Sequence, residues 1–367
     1  MKTYRWFFLV WVSSILVSCG GTSEEELIGD WQRRAFVPIG RSYAATFVIG
    51  NKGYVCCGFD GLRQRRNDVC VFDHTLGDGR GAWVQKDDFP GERRSHAVGF
   101  SVGGYGYIGS GFDGDEKYMK DFWRYNPDTD EWTEVAPLPD RASARIGAIA
   151  FSLTVGGKEY GYVGFGYYKG VFNQMYLNDL WRFDPDGSTS GLSGSWTEII
   201  GYGGWKREGA AVFVIENKAY ICNGKTSYDV TDFWVFDPDG ALAGNPLWSQ
   251  KRTMANSNQE EDYDDDYGGL ARSYGVAYVV DVAGQPRGHI IGGSKNTNWE
   301  YDHVNDLWTQ RTKFWNHGQG NAREGMVSFS FPATGKAYVG MGRSGTVSDY
   351  DDLWEFFPLL EDDPYQD

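Results

Sequence analysis

The apolar positions of the chain fall into short segments that recur in a fixed order between turns rich in glycine and aspartate. In the clearest copy a small-residue segment follows Arg145, a second segment ends in glycine, a third carries Trp181 and a fourth carries Trp196. The opening segment returns after five further arginines, which are Arg41, Arg94, Arg207, Arg272 and Arg323. Six copies spaced about 50 to 65 residues apart predict a radial repeat of four-stranded units.

Side-chain size grows along each copy. Alanine, glycine and valine dominate the first segment, and tryptophan marks the third and fourth, with Cys70 in place of the third-segment tryptophan of copy one. Small residues suit strands that converge on an axis, and large ones fill the space at the rim. The pattern predicts an all-β, six-bladed β-propeller of antiparallel four-stranded blades. In the fifth copy we assign Trp308 to the fourth strand, because Trp299 precedes it as Trp123 precedes Trp132.

The last copy ends after Trp354 without a fourth strand. A suitable segment, D-W-Q-R-R around Trp31, lies at the other end of the propeller region. We therefore predict that the N-terminal strand pairs beside the last hairpin and closes the ring, which leaves no long unpaired edge. Residues 30–367 then form a single propeller domain.

Residues 1–19 are predicted to be a signal peptide. Lys2 and Arg5 precede an apolar run that is short for a membrane-spanning helix, and L-V-S-C ending at Cys19 resembles the lipobox of bacterial lipoproteins. The resemblance implies lipidation of Cys19 and a lipid-anchored protein of the bacterial cell envelope, with the outer membrane favoured. The alternative is an ordinary secretory signal. Residues 20–29 are predicted to be a flexible tether.

The net charge of the chain restricts the kinds of partner that the protein is expected to bind. A formal net charge of −15 argues against nucleic acid and against direct docking on anionic lipid, so the membrane is expected to be contacted only through the anchor. Of the cysteines after Cys19, adjacent Cys56 and Cys57 are expected to face opposite sides of a strand. Two alternatives stay open: four buried thiols that include Cys70 and Cys222, or a bridge from Cys56 or Cys57 to Cys70.

The repeated phrases resemble the Kelch repeat: an arginine before a small-residue strand, a glycine-rich end of strand two, aromatic-x-[FY]-D in strand three and tryptophan in strand four. The resemblance covers residues 30–358, although only Gly292-Gly293 keeps the paired glycines of the family. It implies a fold with several functions, since some members bind protein segments, one group resembles a sialic-acid mutarotase and another a copper radical oxidase. The five histidines are too scattered for the copper chemistry.

Strand polarity places the loops between strands two and three, and those between blades, on one face, which we call the upper face. These loops hold aromatic and polar residues, which make the upper mouth of the channel the candidate binding site. The candidate ligand-binding residues are Tyr43, Phe59, Asp60, His96, Phe112, Asp113, Tyr167, Tyr168, Glu208, Lys225, Tyr274, Lys295, Glu324 and Arg343. The alternative is that the loops are simply solvated and the aromatics plug the channel. The six repeat arginines are expected to be structural and to bond neighbouring backbone.

The functional prediction is a binding protein for a glycan or a protein segment. The alternative is a sugar mutarotase or epimerase, in which Arg343 or Lys295 would hold a carboxylate while Glu208, Glu324 or His96 moved protons. No cofactor is expected apart from calcium at Asp262, Asp264 and Asp266, whose alternate spacing is typical of calcium loops. A solvated acidic loop is the alternative there.

The predicted closure also gives an orientation. A fourth strand runs from the lower face to the upper, so the tether before Trp31 leaves the ring at the lower face. We therefore expect the lower face to look towards the membrane and the upper mouth to look away from it.

Overall fold

In the computed structural model, the described residues are 27–62, 64–115, 117–170, 173–241, 243–256, 267–314, 322–345 and 348–361. Their strands form six four-stranded antiparallel sheets. The innermost strand of each sheet contacts that of the next sheet, and the sixth contacts the first, so the sheets form a closed ring. The predicted six-bladed β-propeller is confirmed.

Each blade is described by its strands from the axis outward. Blade 1 comprises Ala45–Ile49, Lys52–Cys56, Val69–Asp73 and Ala82–Lys86. Blade 2 comprises Val98–Val102, Tyr105–Gly109, Phe122–Asn126 and Glu131–Val135. Blade 3 comprises Ile149–Val155, Lys158–Lys169, Gln174–Thr189 and Leu192–Ile199. Blade 4 comprises Glu208–Ile215, Lys218–Lys225, Phe233–Phe236 and Trp248–Lys251. Blade 5 comprises Gly275–Val282, Gln285–Gly292, Asn298–Asp302 and Leu307–Arg311. Blade 6 comprises Val327–Phe331, Lys336–Gly340, Leu353–Glu361 and Ile28–Arg33.

Two pairs of short strands and one 3-10 turn lie outside the blades. Arg41–Ser42 pairs with Phe59–Asp60, and Arg343–Ser344 pairs with Ser348–Asp349, both on the upper face. A 3-10 turn, Gly77–Gly79, lies in the loop between strands three and four of blade 1.

The N-terminal strand closes the ring as predicted. Ile28–Arg33 pairs antiparallel with Leu353–Glu361, with Ile28 opposite Glu361 and Arg33 opposite Trp354. Residues 28 and 361 therefore lie together at the lower face. Trp308 lies in the fourth strand of blade 5, opposite Tyr301, so the assignment of Trp308 to that strand is confirmed.

The apolar core lies between blades. One cluster joins Phe100 of blade 2 to Trp181 and Phe183 of blade 3, and equivalent clusters join other neighbouring pairs. Every blade therefore depends on its neighbours for the burial of its large side chains.

The repeat arginines are structural, as expected. All six are buried, and each donates to a backbone carbonyl at or near the upper end of strand two, as Arg41 does to Cys57 and Arg145 to Phe165. Five also pair with an aspartate two residues before the third-strand aromatic position; Arg145 Nη1 and Nη2 each lie 2.7 Å from Asp179. The Trp181 indole donates to the same carboxylate at 2.6 Å.

Blade 5 departs from this arrangement. Thr297 stands in the aspartate position, and Arg272 donates to its carbonyl at 2.8 Å and to its hydroxyl at 2.7 Å. Arg272 also donates to the carbonyls of Leu270, Gly292 and Gly269, which are neutral oxygens as well. Burial lowers the pKa of its guanidinium to about 10. Blade 5 thus contains a buried repeat arginine whose hydrogen-bond acceptors are neutral oxygens, in place of an aspartate carboxylate.

The four described cysteines are buried free thiols. Cys70 Sγ donates to Gln85 at 3.2 Å, so it is engaged away from Cys56 and Cys57. The expectation that Cys56 and Cys57 face opposite sides is wrong. Cys57 follows the strand and has a left-handed φ of 65°, and the two sulfur atoms lie 3.1 Å apart.

A buried charge cluster in blade 5 predicts acid sensitivity. Glu300 accepts hydrogen bonds from Arg311 at 2.8 and 3.1 Å and lies 3.5 Å from His289. Burial disfavours the Glu300 carboxylate, but His289 and Arg311 outweigh it and lower its pKa from 4.5 to about 2. As pH falls below 4.5 the unfolded chain takes up the proton first. The stabilisation, about 3 kcal/mol, is therefore present above pH 4.5 and is lost as pH falls towards 2.

We expect Glu300→Gln to be less stable than the parent at pH 6, with the difference in unfolding free energy shrinking by about 2 kcal/mol at pH 3. Urea denaturation of both proteins at the two pH values measures it. A difference that stays constant with pH would contradict the role assigned to Glu300.

Candidate functional site

Six residues with left-handed backbone surround the upper end of the channel. They stand two positions after the repeat arginines, and their φ angles are 53° at Tyr43, 57° at His96, 58° at Gly147, 62° at Gly209, 55° at Tyr274 and 62° at Gly325. Glycine adopts this conformation freely, whereas a residue with a Cβ is strained in it. In three blades the residue at this point is therefore strained, and it places an aromatic ring at the mouth of the channel.

Backbone hydrogen bonds link these positions from blade to blade. The Tyr43 N–H donates to Gly325 at 2.8 Å and the His96 N–H donates to Tyr43 at 2.9 Å. Gly209 donates to Gly147 at 2.8 Å, Tyr274 to Gly209 at 2.9 Å and Gly325 to Tyr274 at 3.2 Å. The left-handed turn points each N–H sideways to the neighbouring blade, which explains why it recurs.

The aromatic rings fill the upper end of the channel. Tyr43 stacks on His96 with ring centroids 4.0 Å apart, and Tyr274 meets them edge-on at 5.6 and 5.9 Å. Glycines make room for these rings: a Cβ at Gly325 would lie 2.7 Å from Tyr43, and one at Gly209 would lie 3.0 Å from Tyr274. We call Tyr43, His96 and Tyr274 the aromatic plug.

Beneath the aromatic plug the channel is lined by small residues of the inner strands and has a cavity of about 220 Å³. It continues into a cavity of about 700 Å³ towards the lower face. A ligand that approaches the upper face therefore meets aromatic rings at the mouth. The sequence leaves open the alternative that aromatic side chains plug the channel. Tyr43, His96 and Tyr274 fit that alternative.

The protonation states of the aromatic plug are fixed by its contacts. Tyr43 donates to Glu324 at 2.8 Å and Tyr274 donates to Glu208 at 2.5 Å. Burial, with the adjacent carboxylate, raises the pKa of both phenols. Burial, with the nearby charge of Arg65, lowers the pKa of His96 to about 3. At neutral pH the phenols are protonated and His96 is uncharged, so His96 is poorly suited to donate a proton.

A second group of rings runs outward from the aromatic plug across blades 1 to 3. Arg65 lies over Phe59 at 4.5 Å and over Phe112 at 5.1 Å. Phe112 contacts Tyr118 at 4.9 Å, and Tyr118 contacts Tyr168 at 5.4 Å. We call these five residues the aromatic arc; each is partly exposed. Phe59 joins it to the aromatic plug, 6.3 Å from Tyr43.

A raised hairpin flanks the aromatic arc. Strands two and three of blade 3 continue above the ladder, where Tyr167 pairs with Tyr176 and Lys169 with Gln174. The Tyr167 and Tyr176 rings lie 5.2 Å apart. Burial, then the charge of Glu208, raises the pKa of Tyr176.

The other predicted site residues have distinct places. Asp60 accepts from the backbone of Leu62 and Gln64, and Asp113 accepts from Asp115 and Lys117, so both carboxylates shape their own turns. Lys225 lies over the Tyr274 ring at 5.1 Å.

Two cationic candidates lie farther round the mouth. Lys295 donates to the Gly268 carbonyl at 3.2 Å. Arg343 lines an upper cavity of about 410 Å³ with Tyr43 and Glu324. The basic candidates are therefore spread around the mouth.

Sequence reasoning missed Arg65, Tyr118 and Trp205. Arg65 and Tyr118 occupy the same place in twin loops, because each bridges back to the phenylalanine of its own F-D-G phrase, Phe59 or Phe112. That spacing was visible in the sequence. Trp205 is 68% exposed beside a groove of about 720 Å³ between blades 3 and 4.

Two predicted sites lie outside the described residues: the calcium ligands Asp262, Asp264 and Asp266, and the lipidation site Cys19. Among the residues that the structure does describe, no cluster of three or more His, Cys, Asp or Glu side chains could hold a metal ion. Within that same part of the chain, none of the helices has the length and apolar character needed to span a bilayer.

The closed ring of blades with a buried arginine in each supports a Kelch-repeat propeller. Residues 93–139, which include all four strands of blade 2, match the family model of the Kelch motif. Among solved structures, one described as "Structure of YjhT" superposes with a TM-score of 0.64 over 87% of this chain and 95% of that chain, at 16% identity. No curated protein matches the chain in sequence. In all, 413 solved chains match. Likeness at this level shows the fold alone, and a shared fold does not by itself select a function.

Proposed function

We propose that the protein is a lipid-anchored binding protein of the cell envelope that recognises a glycan at its upper face. The observation that carries the proposal is the aromatic arc. A Kelch propeller suits a binding or interaction role, and in this one the upper mouth presents partly exposed rings in series. Arg65 lies between two of the rings, and the Glu208 and Lys225 side chains lie on the same face.

A glycan fits this arrangement on chemical grounds. A sugar ring has an apolar face of C–H groups and an edge of hydroxyls, so it packs on an aromatic face while its edge bonds to charged or polar groups. Tyrosine supplies both an apolar face and a polar tip. Sites of this kind combine aromatic walls with a few convergent polar groups. A protein segment is the second ligand class that the same surface would suit.

The proton states of the aromatic plug favour binding over mutarotation. His96 is uncharged at neutral pH, and Glu208 and Glu324 each accept a hydrogen bond from a protonated phenol. The mutarotase alternative would have to use one of these two carboxylates as the base. Of the cations that would hold a substrate carboxylate, Lys295 lies on blade 5, and Arg343 lies on blade 6 in the cavity that it lines with Tyr43 and Glu324.

The anchor belongs to the same proposal. The N-terminal strand begins at the lower face, opposite the aromatic arc, so a tether from Cys19 would hold the lower face towards the membrane. The aromatic arc would then be open to a ligand that arrives from solvent.

Binding is tested with the purified full-length protein on a glycan array, followed by calorimetry with the best ligand. We expect Tyr118→Ala and Tyr168→Ala to weaken binding roughly 10- to 100-fold, as loss of a central aromatic contact does. Tyr228→Ala is the matched control, because this tyrosine is 82% exposed on the upper face and outside the aromatic arc. Equal effects at Tyr228 and Tyr118 would overturn the assignment of the aromatic arc.

A second measurement separates binding from catalysis. NMR anomer exchange with free reducing sugars should show no acceleration by the protein. Acceleration that is lost in Glu208→Gln or Glu324→Gln would establish the mutarotase alternative instead.

A further inference from the structure

A left-handed residue, which we call the bulge, recurs in every blade at or near the upper end of strand two, and in blades 3 and 4 it lies within that strand. The residue at this point has a left-handed φ, with 65° at Cys57, 56° at Ser110, 59° at Phe165, 61° at Asn223, 76° at Gly292 and 54° at Met341. A glycine with positive φ follows each of them. Consecutive side chains in a strand point to opposite faces, and the bulge breaks that alternation. Blade 1 is the blade in which the two residues at the bulge are both cysteine.

The two sulfur atoms are held together and apart from other thiols. Cys56 Sγ and Cys57 Sγ lie 3.1 Å apart, and both residues are fully buried against Phe47, Phe89 and Ile108. Cys70 is engaged with Gln85.

Hydrogen bonds fix the backbone on both sides of the pair. Cys57 donates to Asp68 at 3.3 Å and accepts from Arg41 at 3.2 Å, and Gly58 donates to Arg94 at 2.9 Å. The geometry of the pair is therefore set by the blade and by its neighbour.

We propose that Cys56 and Cys57 form a modification site, in which the two adjacent thiols oxidise to a vicinal disulfide. Adjacent Cα atoms lie about 3.8 Å apart, below the range usual for disulfides, so the ring closes only where the backbone turns both side chains to one side. The bulge does this. An S–S bond of about 2.05 Å requires the sulfur atoms to approach by roughly 1 Å, within the reach of small side-chain rotations.

The oxidant is a disulfide, either a small molecule such as oxidised glutathione or a protein disulfide. One cysteine thiolate attacks it and forms a mixed disulfide, with release of the first thiol. The second cysteine thiolate then attacks the mixed disulfide, which forms the S–S bond between Cys56 and Cys57 and releases the second thiol. In sum, the pair loses two protons and two electrons, and the oxidant disulfide is reduced to two thiols.

The stage at which the disulfide forms follows from the burial of the two cysteines. Burial raises the pKa of Cys56 well above its usual range, so little thiolate exists once blade 1 has folded. The first exchange is therefore expected while the chain is still open, and the second closes the ring as blade 1 folds and the bulge brings the two sulfur atoms together. The folded blade then shields the bond from reductants. The proposal is independent of what the aromatic arc binds.

Trypsin digestion places the Cys56–Cys57 pair, Cys70 and Cys222 in three different peptides. Cleavage after Lys52 and Arg63 gives a peptide, residues 53–63, that contains both Cys56 and Cys57. Cys70 falls in residues 67–80 and Cys222 in residues 219–225. The full chain is reduced, refolded in oxidised and reduced glutathione, unfolded in guanidinium chloride with N-ethylmaleimide near neutral pH, digested and weighed.

We expect peptide 53–63 to carry no maleimide and to be lighter by two hydrogen atoms, while peptides 67–80 and 219–225 carry one maleimide each. Cys70→Ser should give the same product, and Cys57→Ser should leave one maleimide on Cys56. Two maleimides on peptide 53–63, or its cross-link to peptide 67–80, would overturn the proposal.

Discussion

Asp179→Ala is expected to lower the free energy of unfolding by about 3–5 kcal/mol, the cost of removing one partner of a buried ion pair. Arg145 is fully buried, and its two terminal nitrogens each lie 2.7 Å from the Asp179 carboxylate. The substitution leaves the guanidinium buried without its counter-charge and removes the acceptor of the Trp181 indole. Equilibrium denaturation in urea measures the loss.

Blade 5 supplies the matched control. Thr297 occupies the equivalent position, and Arg272 bonds to it without a counter-charge. Thr297→Ala removes a neutral hydroxyl that accepts from Arg272 and from the Trp299 indole, and it is expected to cost about 1–2 kcal/mol. If the two substitutions cost the same, the carboxylates contribute no more than neutral acceptors do, and the aspartates are not the principal partners of the repeat arginines.

Trp31→Ala is expected to cost about 3–5 kcal/mol and also to release the N-terminal strand. The Trp31 side chain is 5% exposed and packs on Phe356 at 4.7 Å and Phe314 at 5.1 Å. It also meets Tyr278 of blade 5 at 6.2 Å, so it holds the closing strand against both blade 6 and blade 5. Limited trypsin digestion under native conditions detects the release of the N-terminal strand, because Arg33 and Arg34 become accessible to the protease when the strand leaves the sheet.

Trp248→Ala separates closure from simple loss of packing. Trp248 is also in a fourth strand and is 6% exposed, but it lies inside blade 4. A similar loss of stability is expected without early cleavage at Arg33 or Arg34. Equal cleavage at these sites in both variants would show that Trp31 has no particular part in closure.

The architecture could be predicted from the sequence because each blade repeats the same local signals. Arginine before a small-residue strand and tryptophan in the outer strands located all six blades, and the missing last strand pointed to Trp31. The aspartate partners of the arginines were also visible, as D-x-W near the start of strand three in four blades and D-x-C in blade 1. A repeated charge does not by itself show which opposite charge it pairs with.

The site was less predictable, because it depends on contacts between blades. Tyr43, His96 and Tyr274 could be placed at the channel mouth from their position after the repeat arginines. That they pack on one another follows from ring geometry and from the glycines opposite, which no single repeat encodes. The Cys56–Cys57 contact was missed because a left-handed bulge was not anticipated where strand two ends.

Ring closure also sets an order in time. Blades 1 to 5 are each built from one continuous stretch of chain, so each can assemble as that stretch is synthesised. Blade 6 joins Ile28–Arg33 to Leu353–Glu361, and Arg34 pairs with Glu355 across 321 residues. The first strand to be made must therefore wait for the last, and both expose unpaired edges until they meet. Maturation ends with this single long-range event, and a chain that stops short of residue 353 keeps its first strand without a partner.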